Sequence, residues 1–187
     1  CTTVSGKATR ATAVHVVISE SQRSKAVVRR FSAIGDDAAC VANWWVPRAA
    51  MTFGLIENVL AAATTVKIPV DVAAGHVFKG HTLTTNDKLL VMTSTGWKLV
   101  AVSAVTDVAT QMYCTVTISA LGCDIAANTK SYIVRAADQI AGIPAVGAGS
   151  ATVEDLLSGD SGVPLLMELV ATSNKQILGC AFVEYWG

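Results

Sequence analysis

The chain has 187 residues, of which 52% are hydrophobic and 15% are charged, and its formal net charge is zero. This much apolar material excludes a disordered chain, which lacks the apolar surface needed to offset conformational entropy. The zero net charge provides no field to steer the chain onto nucleic acid or an anionic membrane, and no apolar stretch is long enough to span a bilayer. We therefore predict that the chain binds neither nucleic acid nor a membrane. A charged share below the usual value of about 25% suggests that other subunits cover part of the surface.

The first part of the chain is predicted to form strands separated by turns. Thr12–Ser19 and Lys25–Ser32 are rich in β-branched residues and alternate in polarity, which is typical of half-buried strands. Gly35–Asp37 then supply the residues of a turn. A third strand over Val41–Val46 ends at Pro47, because proline has no amide hydrogen to donate to a sheet.

From Thr64 onwards the strand pattern becomes regular. The segment before it, Met51–Ala63, has apolar spacing that permits a short helix, and a loop over the core is the alternative. Short strands separated by polar turn residues are typical of a barrel or a sandwich. The strand-like runs are Thr64–Val72, His76–Lys79, Lys88–Thr93, Trp97–Val105, Gln111–Ala120 and Lys130–Ala136.

The end of the chain combines a small-residue segment with two more apolar runs. Ile140–Ser150 is rich in glycine and alanine, and this composition indicates a loop or linker. Val163–Val170 and Gln176–Trp186 are strand-like and flank a polar turn at Thr172–Lys175. Two strands joined so closely predict a tight β-hairpin.

These elements predict an all-β (mainly β) fold, built as a barrel or sandwich of short antiparallel strands with long loops and an extended N-terminal arm. Residues 1–50 are expected to form N-terminal strands, or an arm that lies on a neighbouring subunit. Residues 51–139 are the predicted β-barrel region. Residues 140–187 supply the Gly-rich linker and the closing β-hairpin, packed as one domain with the rest.

The cysteines and the short motifs predict no metal ion and no cofactor. No cysteine pair or cysteine–histidine cluster has the spacing of zinc ligands, and no glycine-rich nucleotide motif follows a strand. An odd number of cysteines without paired spacing fits assembly in a reducing cytoplasm. The five cysteines are Cys1, Cys40, Cys114, Cys123 and Cys180.

Gly159-Asp160-Ser161-Gly162 resembles the nucleophile loop of trypsin-like serine proteases, and the strand-like run after it resembles the strand that follows this loop. The resemblance implies that Ser161 is a nucleophile. Ala74-Gly75-His76-Val77 and Asn86-Asp87-Lys88 resemble the family's histidine and aspartate motifs. His76, Asp87 and Ser161 occur in the family's order, and together they would form a catalytic triad.

Two features set this loop apart from the protease pattern. His76 and Asp87 are separated by only one turn and part of a strand, whereas several strands separate the family's histidine and aspartate; Asp107 is better spaced but lacks the motif. Val163 replaces the second glycine of the family. The alternative interpretation is a turn between two strands, for which Gly-Asp-Ser-Gly is well suited.

Two clusters are candidates for a protein interface. Arg29 and Arg30 belong to a basic cluster with Arg23 and Lys25, which forms either a solvated strand face or a contact with an acidic partner surface. Trp44 and Trp45 are adjacent in a predicted strand, so their side chains should point to opposite faces. They are either interface anchors or core residues.

From Thr64 onwards the layout resembles the capsid decoration or cement proteins of tailed phages. The segments that carry the resemblance are Thr64–Val70, Asn86–Met92, Lys98–Val102, Thr115–Gly122 and Ile125–Tyr132. The resemblance implies a structural virion protein without enzymatic activity. Its partners would be the major capsid protein and sister subunits in a homo-oligomer, with a trimer as the expected form. Its location would be the capsid surface of a virion assembled in the host cytoplasm.

Overall fold

The computed structural model describes residues 2–9, 13–18, 24–72, 75–108, 111–145, 150–171 and 174–187. Within these ranges strands dominate, and the helical segments are the 3-10 turns Ala49–Met51 and Ala136–Asp138. The predicted all-β fold is therefore confirmed. A short helix within Met51–Ala63 is wrong, because a three-residue strand and a loop follow the first of these turns.

The strands of the described residues are numbered in chain order. They are β1 (Thr2–Thr9), β2 (Ala13–Ile18), β3 (Lys25–Gly35), β4 (Cys40–Trp45), β5 (Thr52–Gly54), β6 (Thr65–Pro69), β7 (Val77–Phe78), β8 (His81–Thr82), β9 (Lys88–Thr93), β10 (Gly96–Asp107), β11 (Tyr113–Ile118), β12 (Lys130–Val134), β13 (Gln139–Ala145), β14 (Ser150–Ser158), β15 (Leu165–Val170) and β16 (Gln176–Trp186).

The chain divides into two compact units. The first unit consists of residues 1–49 and 137–187, and the second consists of residues 50–136. In sequence, the second unit is an insertion between β4 and β13. These two strands are antiparallel neighbours, with Trp45 opposite Gln139, so the two ends of the insertion belong to one strand pair of the first unit.

The first unit is a sandwich of two four-stranded antiparallel sheets. Sheet A has the strand order β1-β16-β3-β14, and sheet B has the order β13-β4-β15-β2. Alternate residues of each sheet meet in one core, as expected when two sheets pack face to face. Phe31 of sheet A meets Trp44 of sheet B edge to face, with ring centroids 5.4 Å apart and planes 88° apart.

The predicted closing β-hairpin is wrong. β15 pairs with β2 and β4 in sheet B, whereas β16 pairs with β1 and β3 in sheet A. A row of small residues across sheet A, Gly6, Gly179 and Ala33, makes room for the side chains of β15. A Cβ atom at Gly179 would lie 2.9 Å from Leu169 Cδ2 and 3.1 Å from Met167 Sδ. β16 therefore buries a face against β15 instead of pairing with its edge.

The predicted Gly-rich linker is also wrong over residues 140–145, which belong to β13. This strand pairs with β4, and its register shifts between Ile140 and Ile143 at a bulge. The backbone of small residues can join a ladder wherever a neighbour offers an edge, so composition alone did not exclude a strand. Residues 146–149 lie outside the described residues, and β14 begins at Ser150. At the other end of the chain, β1 pairs with β16 and β2 pairs with β15.

The second unit contains a six-stranded antiparallel sheet with the order β5-β12-β9-β10-β11-β6. β10 pairs with β9 along its first half and with β11 along its second half, and the register with β11 shifts between Val102 and Ala104. A bulge of this kind bends a strand and curls the sheet. The sheet curls around a separate apolar core that includes Ile68, Leu89 and Ile133. β7 and β8 form a small ribbon of their own.

Candidate functional site: the outer face of sheet A

The face of sheet A that points away from the sandwich core is the candidate functional site. Along β16, buried residues alternate with exposed ones, so that Leu178, Cys180 and Phe182 point outward. On β3, Ile34 points outward between the buried residues Ala33 and Gly35. We call this surface the outer face. Its described members on the three neighbouring strands are Thr3, Ser5, Lys7, Arg30, Ser32, Ile34, Leu178, Cys180 and Phe182.

The outer face is unusually apolar for a surface that solvent reaches. Ile34 is 43% exposed, Leu178 46%, Phe182 40% and Trp186 57%. Among the described residues of the first unit, every large apolar side chain that is exposed lies on β3 or β16 of this face. The exposed apolar side chains described in the first unit are therefore gathered on one sheet face, where Leu178 adjoins Ile34 and the row through Cys180 separates this pair from Phe182.

The strand register sets these side chains in rows across the sheet. The central row is Ser5, Cys180 and Ser32, and the Ser32 hydroxyl lies 3.0 Å from the hydroxyl of Thr152 on β14. One neighbouring row brings Leu178 beside Ile34. Together these rows line a shallow groove of about 650 Å³. The groove is open to solvent rather than enclosed, which suits an extended surface better than a small ligand.

Charged groups border the apolar surface at the far end of β16. Arg29 Nε donates to Glu184 Oε2 over 3.0 Å, and Trp186 Nε1 donates to the same oxygen over 3.1 Å. The Arg29 guanidinium also lies 5.2 Å from the centre of the Trp186 ring, within the range of a cation–π interaction. The hydrogen bond from Arg29, followed by that from Trp186, lowers the pKa of Glu184, so this carboxylate stays charged.

Acidic groups border the opposite end of the outer face. Asp36 follows β3 and accepts a hydrogen bond from the Gln176 backbone amide over 2.7 Å. Asp37 lies 3.9 Å from Lys175. The outer face therefore has a basic end at Arg29 and Arg30 and a mixed-charge end, where Asp36 and Asp37 are balanced by Lys175 and Lys7.

The Gly-Asp-Ser-Gly loop connects β14 to β15, and its Asp160 carboxylate and backbone groups make hydrogen bonds that fix the local structure. Asp160 accepts hydrogen bonds from the Ala49 amide over 2.7 Å and from Arg48 Nη1 over 3.4 Å. The Val163 amide donates to the Asp160 carbonyl, and Gly162 has a φ of +69°, as a turn with glycine at its third position requires. Ser161 is exposed at the tip of this turn.

The structure pairs the two candidate triad residues of the second unit with other partners. His76 Nδ1 lies 2.8 Å from Asp107 Oδ1, and the hydrogen bond from His76 lowers the pKa of Asp107. Asp87 is buried and instead lies 2.9 Å from His81 Nε2. A pairing of His76 with Asp87 is therefore wrong, because each residue is nearer to a different partner. Ser161 belongs to the first unit, and its role as a nucleophile stays a prediction.

The candidate interface residues have different positions. Trp44 is 1% exposed in the sandwich core, and Trp45 is 3% exposed, with its Nε1 donating to Glu168 Oε2 over 2.7 Å. Interface anchoring by these tryptophans is wrong for this structure, because both rings are already covered within the chain. Arg29 and Arg30 lie on the outer face or at its border. Arg23 lies outside the described residues.

Sequence reasoning missed Ile34, Leu178 and Phe182, although one signal was present. A strand with one face in water should alternate apolar with polar residues. In Ile177-Leu178-Gly179-Cys180-Ala181-Phe182-Val183, the positions of both faces are apolar or small. That departure from alternation is the sequence signal of the exposed apolar side chains on this face.

The described residues include no group of three or more histidine, cysteine or acidic side chains that could hold a metal ion. Nor do those residues form a helix with the length and apolar character that crossing a membrane requires.

The sequence matches no protein-family model and no curated protein. Among solved structures, the chain is similar to VP17, a capsid protein of bacteriophage P23-77, with a TM-score of 0.21 and 8% identity over 98% of this chain and 95% of that chain. It is also similar to the VP16-VP17 complex, a complex of the two major capsid proteins of bacteriophage P23-77, with a TM-score of 0.22 and 8% identity over 99% of each chain. Both are remote structural neighbours, and both are phage capsid proteins.

Proposed function

We propose that the chain is a structural virion protein of a phage head, which decorates or cements the capsid through multivalent protein–protein contacts. The observation that supports this proposal is the outer face, where Ile34, Leu178, Phe182 and Trp186 are exposed together on one sheet. Exposed apolar side chains gathered on one face mark contact sites for other proteins more often than scattered ones do. An open sheet face fits a protein surface better than it fits a small molecule.

The partners in this proposal are the major capsid protein and sister subunits on the capsid surface, with assembly in the host cytoplasm. A capsid presents the same binding site many times, so modest contacts add up to strong attachment when they act together. The apolar centre of the outer face would supply contact area. Its charged ends at Arg30 and Asp36 would fix orientation, because rim charges select partners more than they add affinity.

The test uses virus particles produced by the genome that encodes this chain. The particles are purified on a density gradient and probed with an antibody raised against the purified chain. We expect the chain to band with the capsid and to be released together with capsid fragments when the particles are disrupted. A chain that stays at the top of the gradient, with no signal in the particle band, would overturn the proposal.

A second measurement links attachment to the site. Particles that lack the chain are mixed with the purified chain, and binding is followed by co-sedimentation. The double variant Leu178→Ser, Phe182→Ser should bind fewer copies, because it removes apolar surface through which the contacts of the outer face are made. The matched control is Leu60→Ser, Met112→Ser, since both residues are exposed apolar side chains of the second unit. The control should bind as the original chain does.

A further inference from the structure

We infer that the outer face binds a second copy of this chain, face to face, around a two-fold axis that passes beside Cys180. The inference rests on the proposed function for its setting, and it names a sister subunit as the occupant of the outer face. The two copies of sheet A stack with their β16 strands antiparallel. Leu178 of each copy lies against Phe182 of the other, and the two Cys180 side chains meet at the axis.

The first argument is the symmetry of the side chains about Cys180. Leu178 precedes Cys180 by two residues and Phe182 follows it by two, and all three point outward from β16. A two-fold axis can run between the stacked sheets, perpendicular to β16 and level with Cys180. Rotation about this axis exchanges these two positions. Leu178 of one copy therefore contacts Phe182 of the other, and this contact occurs twice, as an isologous interface requires.

The second argument is area. At about 3.3 Å per residue, the eleven residues of β16 span about 36 Å, and four strands at about 4.8 Å spacing span roughly 19 Å. The outer face therefore measures about 700 Å². A stable protein–protein interface of standard size buries about 800 Å² on each partner. The face is therefore large enough for a stable pair.

The third argument is charge. The Trp186 end of the face has three basic residues, Lys25, Arg29 and Arg30, and one acidic residue, Glu184. The opposite end has Asp36 and Asp37 beside Lys175, while Lys7 lies on the edge strand β1.

The charges at the Trp186 end sum to about +2, whereas those at the Asp36 end sum to zero. Antiparallel stacking therefore avoids placing two basic ends over each other, as a parallel arrangement would.

The oligomeric state of the full chain is the primary test. Sedimentation equilibrium under reducing conditions should show a monomer–dimer equilibrium. The double variant Leu178→Ser, Phe182→Ser should weaken the dimer by about 100-fold, because both symmetric contacts lose their apolar anchors. The control Leu60→Ser, Met112→Ser should leave the dissociation constant unchanged. Circular dichroism and the thermal midpoint of each variant at low concentration show whether the monomer is intact.

Charge reversal tests the orientation. Asp36→Lys should weaken the dimer by about 10-fold, since it gives the Asp36 end a net positive charge and sets it over the basic end of the other copy. Adding Arg30→Glu to this variant exchanges the net charges of the two ends, so the double variant should recover most of the lost affinity. A double variant that associates no more tightly than Asp36→Lys would overturn the antiparallel arrangement.

Cys180 reports on the axis directly. Mild oxidation of the dimer should join the two Cys180 thiols in a disulfide, and Cys180→Ser should abolish the covalent dimer. A chain that is monomeric at every concentration overturns the inference, and so does crosslinking that persists in Cys180→Ser. If that monomer still binds particles through Leu178 and Phe182, the outer face contacts the capsid instead, and the proposed function stands without this inference. If the chain is absent from particles but still forms the dimer, the proposed function is overturned and this inference stands.

Discussion

The contact between the two sheets at Gly179 gives a prediction whose size follows from measured distances. A Cβ atom there would lie 2.9 Å from Leu169 Cδ2, whereas carbon atoms in favourable contact are about 3.5–4.0 Å apart. Gly179→Ala therefore requires shifts of roughly 0.6–1 Å in a packed core, which typically costs about 1–3 kcal/mol. The backbone here is ordinary strand, so alanine also stabilises by about 0.4–1 kcal/mol through the unfolded chain. We expect a net loss of about 1–2 kcal/mol in the free energy of unfolding.

The variant Leu169→Ala separates this overlap from other effects. Leu169 is fully buried, so its truncation alone should cost about 3–5 kcal/mol through lost burial and the cavity that remains. In the double variant, the alanine methyl group at position 179 occupies part of that cavity. The double variant should therefore be more stable than the sum of the single effects predicts, by about 1–2 kcal/mol.

The assay is urea unfolding of the four proteins at one low protein concentration, because self-association would otherwise add to the apparent stability. The refuting results are specific. Additivity within about 0.5 kcal/mol would mean that Gly179 and Leu169 do not compete for the same space. A Gly179→Ala variant more stable than the original chain would mean that the sheets lie farther apart at this point.

Three further predictions concern single groups. Tyr132→Phe should be neutral or stabilise by up to about 1 kcal/mol in thermal unfolding, because the buried Tyr132 hydroxyl has no hydrogen-bond partner among the described residues; a clear loss would reveal one. Cys180 should react with a thiol reagent at pH 7.5 in the native chain at a protein concentration where it is monomeric, whereas Cys114 should react only after unfolding, since burial raises its pKa to about 11; mass spectrometry of labelled peptides distinguishes the two. The Asp107 pKa, followed by NMR, should lie below 3.8 and should rise in His76→Ala. The stability that this pairing contributes is present above pH 3.8 and is lost as the pH falls through the lowered pKa. An Asp107 pKa that is the same in His76→Ala would contradict this prediction.

Local sequence patterns were sufficient to predict many strands. The predicted strand Lys88–Thr93 coincides with β9, and Gln176–Trp186 coincides with β16. In β11, Cys114, Val116 and Ile118 are buried in strict alternation, which is the pattern that a half-buried strand imposes on its sequence.

Strand partners could not be predicted in the same way. Alternation determines which side chains share a face, but it does not determine which sheet the strand joins. β15 and β16 are close in sequence and were predicted to form a hairpin, yet they belong to facing sheets. The distinction depends on Gly6, Gly179 and Ala33, which become adjacent only after three distant segments have paired.

The candidate site shows the same limit. Trp44 and Trp45 were conspicuous in the sequence, but their burial depends on tertiary packing that no local pattern reveals. The outer face had a local signal in the apolar character of both faces of β16. Its extent became visible only when the strand register brought Ile34 beside Leu178.

The insertion of the second unit between β4 and β13 has a consequence for the order of folding during synthesis. Residues 50–136 are continuous, so the strands of the second unit can pair as soon as they leave the ribosome. The first unit must wait, because β3 pairs with β16 and β1 has its partner at the very end of the chain. Closing such long loops is slow, and unpaired edges stay exposed in the meantime. We therefore expect a nascent chain truncated at residue 140 to protect the second unit from proteolysis while β1–β4 remain digestible.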